Sequence, residues 1–189
     1  MLKIAFKEWA VVCKALAEGR QSIILRKGGI AESAGEFRPE HPRFWLYPTF
    51  LHEHREGIKP AAQPLLEQAI AERPSSGLVR LSHFAEVAAV HRLLDWQQVE
   101  PLDDLHVWST EAVKAKFNYR TPGLYLLIVR LFRNPKPHDV METAAYAGCK
   151  TWVELDRELS TGGAIPAADD EAFRQMRAEI ERRLGATKR

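Results

Sequence analysis

The stretch that decides the fold is residues 124–132, Leu-Tyr-Leu-Leu-Ile-Val-Arg-Leu-Phe. It follows a Thr-Pro-Gly turn signal at residues 121–123, and its apolar residues occupy both alternating positions of a strand. A strand with two apolar faces is buried on both sides, so we predict that residues 124–132 form the central strand of a sheet. Arg130 interrupts this run. A buried arginine must either find a carboxylate or open into a groove, because an unpaired buried charge is costly.

Three further stretches predict strands around this one. Residues 21–27 (QSIILRK) end in two cations, and residues 43–50 (RFWLYPTF) are rich in aromatic side chains. Pro48 has no backbone donor, so the second of these strands lies at a sheet edge or ends there. Residues 78–94 carry Val, Leu and Ala in mixed order, which fits one long bent strand or two short ones. The sequence pattern of residues 139–160 does not decide between a helix and a strand.

The first residues of the chain predict a helix over residues 2–18. Its apolar stripe consists of Leu2, Phe6, Trp9, Cys13 and Leu16, which are spaced as one face of a helix requires. Gly19 follows at the position where a left-handed C-cap is expected.

Three more helices are predicted along the chain. One covers residues 60–72, and its expected buried face consists of Leu65, Leu66, Ala69 and Ile70. Another covers residues 110–117, with Ser109 as its N-cap. The last begins at Asp169 or Asp170, either of which can cap it. These helices and strands interleave without a regular βαβ rhythm, which favours a single α+β domain over residues 1–189. We expect a mixed sheet or a half-open barrel, with the helix at residues 2–18 packed on the central strand.

Composition excludes several classes of protein. The chain has 189 residues, of which 46% are hydrophobic and 28% charged, with a net charge of +2; a wholly disordered or fibrous chain would differ from this. No apolar run approaches the ~18–20 residues that a membrane span needs. Lysines interrupt the apolar residues at the N-terminus, which is not typical of a signal peptide. With only two cysteines and no export signal, we expect reduced thiols in a cytoplasm.

The strongest candidate for ligand binding is the cationic strand end formed by Arg26 and Lys27, which Gly28 and Gly29 follow. Two glycines allow a ligand to approach the backbone closely and leave amide donors available to an anion. Arginine can bind a phosphate through two parallel hydrogen bonds. The alternative is that Arg26 pairs with a carboxylate such as Glu8 and that the glycines only make a tight turn.

Glu8 lies in a largely apolar environment, because the predicted helix places Ile4, Val11 and Val12 around it. Burial of a carboxylate without a partner would cost several kcal/mol. We therefore expect an ion pair with Arg26, Lys27 or Arg130. A carboxyl group with a raised pKa, acting as an acid or base in a cleft, remains the alternative.

Residues 112–138 form the longest window without an acidic residue. The window holds the cations Lys114, Lys116, Arg120, Arg130, Arg133 and Lys136, interleaved with the aromatic residues Phe117, Tyr119, Tyr125 and Phe132. Cations on phosphates and aromatic faces for bases are how single-stranded nucleic acid is held. The alternative is that the lysines are ordinary surface residues and that the aromatic residues belong to the core.

Several other chemistries find no support in the sequence. His41, His52, Glu53 and His54 lie close together, but their spacing matches no established zinc pattern, so we expect no metal and no cofactor. The sequence contains no phosphate-binding loop and no dinucleotide fingerprint. It also lacks the acidic residue two positions before a lysine that a restriction-type nuclease core usually needs.

Several short motifs resemble the bacterial family described as domain of unknown function 1802. They are Lys7-Glu8-Trp9 with Gly19, residues 25–30 (LRKGGI) with Glu32, His41, residues 46–49 (LYPT) with His52, Trp108, Arg130, and residues 148–152 (GCKTW). The family typically has a serine where this chain has Thr151. The resemblance implies a context of DNA restriction or defence, since some members occur with a restriction-endonuclease-like domain. Residues 15–27 (ALAEGRQSIILRK) also resemble the opening of ASCH and PUA-like barrels, which bind RNA or modified nucleotides.

Our leading hypothesis is a module that recognises nucleic acid or a nucleotide, either DNA or RNA, in single-stranded or modified form. The candidate ligand-binding residues are Glu8, Arg26, Lys27, Gly28, Gly29, Glu32, His41, Tyr47, His52 and Arg130. We expect at least four of the charged and polar side chains in this set to line one pocket. Two alternatives stay open: a metal-dependent hydrolase or nuclease using Glu8, Glu32, His41 and His52, and a scaffold that contacts a restriction-endonuclease-like subunit.

Overall fold

The computed structural model describes residues 1–28, 30–33, 36–50, 55–148 and 150–186; for residues 30–33, 36–39 and 186 it describes the backbone alone. The strands are β1 (Leu2–Trp9), β2 (Ile23–Arg26), β3 (Ile30–Ser33), β4 (Glu36–Pro39), β5 (Arg43–Thr49), β6 (Leu78–Leu93), β7 (Leu124–Met141), β8 (Trp152–Leu159) and β9 (Ile165–Pro166). The helices are α1 (Ala10–Ala17), α2 (Gln63–Ala71), α3 (Trp96–Val99), α4 (Thr110–Asn118) and α5 (Asp170–Ala186). Short 3-10 segments cover residues 55–57, 60–62 and 100–105.

Seven strands form one open sheet in the order β2-β7-β6-β5-β1-β8, and the short β9 adds to β7. Strands β1 and β5 run parallel, whereas β1–β8, β2–β7, β5–β6 and β6–β7 are antiparallel. Strands β3 and β4 pair separately as a two-stranded sheet. The predicted α+β class with a mixed sheet is therefore confirmed.

The prediction of one helix over residues 2–18 is wrong for its first half, because residues 2–9 form strand β1 and only residues 10–17 are helical. Apolar Leu2, Ile4 and Phe6 alternate with less apolar residues, so the sequence also carries the two-residue period of a strand. Pairing on both sides, with β5 and with β8, decides between the two periods. Gly19 ends the helix as predicted, with a φ of 69°.

The predicted strand at residues 124–132 forms and lies inside the sheet, but it is second from the edge instead of central, and it is longer than expected. β7 lies between β2 and β6 and continues to Met141. Residues 78–93 form one long strand that is irregular at two positions, and β5 ends one residue after Pro48. The undecided residues 139–160 contain the end of β7 and the whole of β8.

The helices after residue 60 largely follow the sequence signals. Ser109 caps α4, since its Oγ accepts a hydrogen bond from the backbone N–H of Ala112 at 3.2 Å. Asp169 caps α5 through the N–H of Ala172 at 2.7 Å. Ile70 on α2 was expected to be buried, but it is 52% exposed. Its position just beyond the stripe of Leu65, Leu66 and Ala69 turns it towards solvent.

Two hydrophobic clusters stabilise the sheet. The larger one contains Phe6, Leu25, Leu127 and Trp108 together with Val11 of α1, so α1 packs against β7 as predicted. The smaller cluster consists of Ala5, Trp45, Tyr47, Val79, Leu81, Phe84, Tyr146, Val153, Leu155 and Leu159. Consecutive residues of β1 therefore serve different clusters, because side chains alternate across a strand.

Candidate functional site

Arg26 ends β2 at the open edge of the sheet and connects it to two other strands. Its guanidinium donates a hydrogen bond to the backbone carbonyl of Lys7 in β1 at 3.4 Å and another to Thr151 Oγ1, just before β8, at 2.8 Å. The guanidinium carbon lies 4.8 Å from the centre of the Phe6 ring. Arg26 thus links the two edges of the sheet through a side chain, where a closed barrel would have backbone hydrogen bonds.

Glu8 forms the predicted ion pair with Arg26, with 3.6 Å between Glu8 Oε2 and the nearest guanidinium nitrogen. The Glu8 side chain is only 3% exposed, and its Oε1 accepts a hydrogen bond from the backbone N–H of Trp9 at 2.9 Å. Oε2 is buried and has no hydrogen-bond partner among the described residues. The carboxylate therefore depends on nearby positive charge for its stability.

Lys116 of α4 is a second cation at this position. Its ammonium donates to the backbone carbonyl of Leu25 at 3.3 Å and lies 4.6 Å from the centre of the Trp108 ring. Burial lowers the pKa of Lys116; Glu8 acts in the opposite sense, and Arg26 lowers it further. We call Glu8, Arg26, Lys116 and Thr151 the Arg26 cluster. The cluster therefore sets two basic side chains against one carboxylate, and an anion beside Lys116 would favour its protonated form.

A row of aromatic rings begins at Phe6, beside Arg26. The Trp152 ring lies 4.8 Å from Phe6 and 5.2 Å from Phe44, in both cases edge to face. His41 extends this row, because its ring lies 5.0 Å from Trp152. Trp152 and His41 are both half-buried, so part of each ring reaches solvent. The predicted site residues Glu8, Arg26 and His41 are therefore brought to one region.

A buried histidine, His106, packs against the Trp108 ring that Lys116 contacts. The His106 ring lies 5.5 Å from the Trp108 ring. Burial lowers the pKa of His106 to about 4, with a further contribution from Lys59. His106 Nδ1 and Trp108 Nε1 are buried, and neither has a hydrogen-bond partner among the described residues. A small cavity of about 240 Å³ lies beside His106.

Lys27 points away from the cluster towards the turn after α4. Its ammonium donates to the backbone carbonyls of Phe117 at 2.8 Å, Gly123 at 2.7 Å and Thr121. Burial lowers the pKa of Lys27. The next residue, Gly28, is exposed, and a side chain at that position would meet no atom within 4 Å.

Tyr47 lies on the opposite side of β1 from Glu8. It is the register neighbour of Lys7, whose ammonium is 5.3 Å from the Tyr47 ring. The Tyr47 hydroxyl is 3.2 Å from Glu142 Oε1, and burial together with this carboxylate raises the pKa of Tyr47. Lys7 and Glu142 line a groove of about 860 Å³ that does not include Glu8 or Arg26. The structure therefore separates Tyr47 from the Arg26 cluster.

Arg130 is also separate, because it lies on the other face of β7. Arg26 is the register partner of Tyr125, and Arg130 is five residues further along β7, an odd number that reverses the face. Its guanidinium pairs with Asp170 at the start of α5 and lies 5.4 Å from the Phe132 ring. Arg130 thus joins the helix α5 to the sheet and does not contact Glu8.

Three predicted site residues lie outside what the structure describes. Gly29 and His52 are not among the described residues, and neither is the side chain of Glu32. Glu53 and His54 of the considered metal group fall outside as well. In the part of the chain that is described, no group of three or more His, Cys, Asp or Glu residues could hold a metal ion. No helix of that part is long and apolar enough to cross a membrane.

The family model of Domain of unknown function (DUF1802) matches residues 5–179. The chain belongs to this family. The match includes the Arg26 cluster and every candidate residue of the sequence analysis, so the predicted family is confirmed.

Solved structures similar to this member of the DUF1802 family include ASCH from Zymomonas mobilis. It is 13% identical, the match covers 93% of each chain, and the TM-score is 0.49. A point mutant of the same protein is 12% identical, with 93% of this chain and 94% of that chain covered and a TM-score of 0.47. A comparison with curated proteins finds no match.

Two members of the Arg26 cluster were not among the candidate residues. Lys116 was noted only as one cation of the window at residues 112–138, and Thr151 only as part of a family motif. A signal for Lys116 was present: it lies between Val113 and Phe117 on the buried face of α4, at the helical spacing that brings it inward. Two other cations of the window do not gather with it, since Arg130 pairs with α5 and Arg133 lies opposite His83.

Proposed function

We propose that the Arg26 cluster binds a phosphate group of a nucleic acid or nucleotide. The observation that carries this proposal is the set of two basic side chains, Arg26 and Lys116, beside one carboxylate, Glu8, at a partly buried position. A charge interacts more strongly there than in bulk water, because the effective dielectric constant is lower. An anion placed between the two cations would relieve the unfavourable environment that lowers the pKa of Lys116.

The hydrogen-bonding capacity of Arg26 supports the same ligand class. Its guanidinium has five N–H donors, and the contacts to Lys7, Thr151 and Glu8 occupy only part of them. The side chain remains 21% exposed, so an anion can reach it from solvent. Bidentate contact with a phosphate is a common use of arginine at such positions.

The aromatic rings explain why we favour a nucleotide over a simple anion. Trp152 packs on Phe6, whose ring lies against the Arg26 guanidinium, and His41 packs on Trp152; both residues are half-buried. Single-stranded nucleic acids are held by cations on the backbone and aromatic faces for the bases. A restriction-endonuclease-like partner stays a prediction that co-purification can test.

The test is fluorescence anisotropy with fluorescein-labelled 12-nucleotide RNA and DNA strands, titrated at several salt concentrations. We expect Lys116→Met to weaken binding and to reduce the slope of log K against log salt by about 0.7, the value for one phosphate contact on a single strand. Methionine keeps the packing against Trp108 while it removes the charge. Lys136→Met, the same change at an exposed lysine near the far end of β7, is the matched control and should leave the slope unchanged.

Two results would contradict the proposal. One is binding that does not respond to salt, and the other is an equal effect of both lysine variants. The same samples, incubated with divalent metal ions, separate recognition from catalysis: strand cleavage that disappears in His41→Ala would identify a nuclease.

A further inference from the structure

The turn at residues 119–123, which follows α4, presents an exposed aromatic ring beside a cation. Tyr119 is 57% exposed. The guanidinium carbon of Arg120 lies 5.2 Å from the centre of the Tyr119 ring. Arg120 has a φ of 62° and is the only described non-glycine residue with a positive φ. Side chains disfavour this left-handed conformation, so the surroundings must hold the turn in place.

Two contacts fix this turn. Lys27 donates to the backbone carbonyls of Phe117, Thr121 and Gly123, and thereby ties both ends of the turn to β2. Gly123 has a φ of 128°, and a Cβ at this position would lie 3.1 Å from the Leu93 carbonyl oxygen, so only glycine fits there. The backbone that carries the Tyr119 ring is therefore fixed, so little conformational entropy of the turn is lost when a ligand stacks on the ring.

The turn is continuous with the Arg26 cluster. Lys27, which holds the turn, is the next residue after Arg26, and the Tyr119 backbone N–H donates to the carbonyl of Lys116 at 3.4 Å. The turn therefore begins three residues after Lys116 and is held by the residue that follows Arg26.

The surface beyond the turn extends the same chemistry. Leu94 is 57% exposed and touches the turn at Gly123. The Lys114 ammonium lies 5.3 Å from the centre of the half-buried Trp96 ring. The one carboxylate between Leu94 and Trp96, that of Asp95, accepts a hydrogen bond from the Gln97 backbone N–H and caps α3. This surface therefore combines apolar faces with cations.

From these contacts we infer that the 119–123 turn is a base-stacking platform, and that the ligand of the Arg26 cluster is single-stranded nucleic acid rather than a duplex. This inference rests on the proposed function. Duplex bases are stacked on each other and offer no face to Tyr119, whereas an unpaired base does. Arg120 would then contact the phosphate next to the stacked base.

The experiment compares three probes on the full chain: a 12-nucleotide oligouridine, a 12-nucleotide oligothymidine and a 12-base-pair DNA duplex, all labelled with fluorescein. We expect Tyr119→Ala to weaken binding of both single strands by roughly 5- to 150-fold, the effect of losing one stacked base. Tyr119→Phe keeps the ring and should stay within about twofold of the unchanged protein. Ile70→Ala removes another exposed large apolar side chain, on α2, and is the matched control.

A second measurement reports stacking directly. A single strand that contains 2-aminopurine should lose fluorescence on binding, and Tyr119→Ala should restore that fluorescence at saturating protein. Tighter binding of the duplex, or Tyr119→Ala binding as well as the unchanged protein while Lys116→Met binds more weakly, would overturn this inference and leave the proposed function standing. No binding of any probe would overturn both.

Discussion

Arg26 and Arg130 interrupt neighbouring apolar strands, yet they have different environments. The exposed fraction of the side chain is similar, 21% for Arg26 and 27% for Arg130. Their carboxylate partners differ: Glu8 is 3% exposed, whereas Asp170 is 78% exposed. The same residue type therefore pairs with a buried carboxylate at the end of β2 and with a solvent-exposed carboxylate on β7. The exposed fraction of the carboxylate therefore distinguishes the two pairs: solvent screens Asp170, whereas Glu8 is shielded from solvent.

The neighbours of each arginine extend this difference. Beside Arg26, burial lowers the pKa of Lys116. Burial also lowers the pKa of His106, whose ring packs against Trp108. Beside Arg130, the contacts are the Phe132 and Phe173 rings and the exposed start of α5. Perturbed titration concentrates where binding sites form, so the Arg26 side of the sheet is the better candidate for a binding site.

The largest expected effect comes from removing Arg26. Arg26→Met should lower the free energy of unfolding by about 3–5 kcal/mol, because the buried Glu8 carboxylate loses its partner and the edges of the sheet lose their connection. Urea denaturation followed by circular dichroism measures this. The double variant Arg26→Met with Glu8→Leu should recover only part of the loss, since the buried ammonium of Lys116 then has no carboxylate beside it. If Arg26→Met costs less than 1 kcal/mol, the ion pair does not stabilise the fold as described.

The next effect is the loss of stability in acid caused by His106. Its pKa is about 4 in the folded protein and ordinarily about 6.5, so the unfolded chain binds a proton between these values and the folded protein does not. Stability should therefore be complete above pH 6.5 and should fall by about 3 kcal/mol as the pH drops to 4. Thermal unfolding in buffers from pH 7.5 to 4 measures this loss.

His106→Asn supplies the comparison for the acid effect. This variant should show a shallower fall of stability over the same range of pH. His83 also has a pKa lowered to about 4, chiefly by burial, so some acid sensitivity will remain in the variant. A profile identical to that of the unchanged protein would show that His106 is not the titrating group.

Lys27 should have an intermediate effect. Replacing it by methionine removes an ammonium that holds three carbonyls of the 119–123 turn, and hydrogen bonds to a charged group contribute about 1.5–3 kcal/mol. We expect Lys27→Met to cost about 2 kcal/mol in urea denaturation. Hydrogen exchange should speed up at residues 119–123 more than elsewhere, and uniform protection would contradict the anchoring role.

The sequence predicts well where one local signal acts alone. The cap at Ser109, the C-cap at Gly19 and the two-faced apolar strand at residues 124–132 all follow from neighbouring residues. Residues 2–9 carry a helical and a strand period at once, and only the pairing of β1 with β5 and β8 decides between them. Local rules therefore predict an element when its residues agree and fail when two periods coincide.

The candidate site shows the same limit. A buried carboxylate is costly without a cation, so the sequence predicts an ion pair for Glu8. The structure contains this pair, with Arg26. Arg130 lies on the other face because Arg26 pairs with Tyr125, an odd number of residues before Arg130. No local sequence pattern sets this register. The unexpected place of Glu8, on a strand instead of a helix, left its ion-pair prediction intact because the energetic argument concerns burial and not secondary structure.

The smallest expected effect is the loss of the Arg130–Asp170 pair. Asp170→Asn should cost less than about 1 kcal/mol, because exposed ion pairs contribute little and salt screens them. The double-mutant cycle with Arg130→Met isolates the coupling energy, which should fall towards zero in 1 M NaCl, where the screening length is about 3 Å. The coupling of Glu8 with Arg26, measured in the same way, should persist at that salt concentration, since burial limits screening. Equal salt sensitivity of the two pairs would mean that solvent reaches Glu8 as freely as Asp170. The Arg26 side of the sheet would then lack the low-dielectric environment on which the proposed phosphate binding depends.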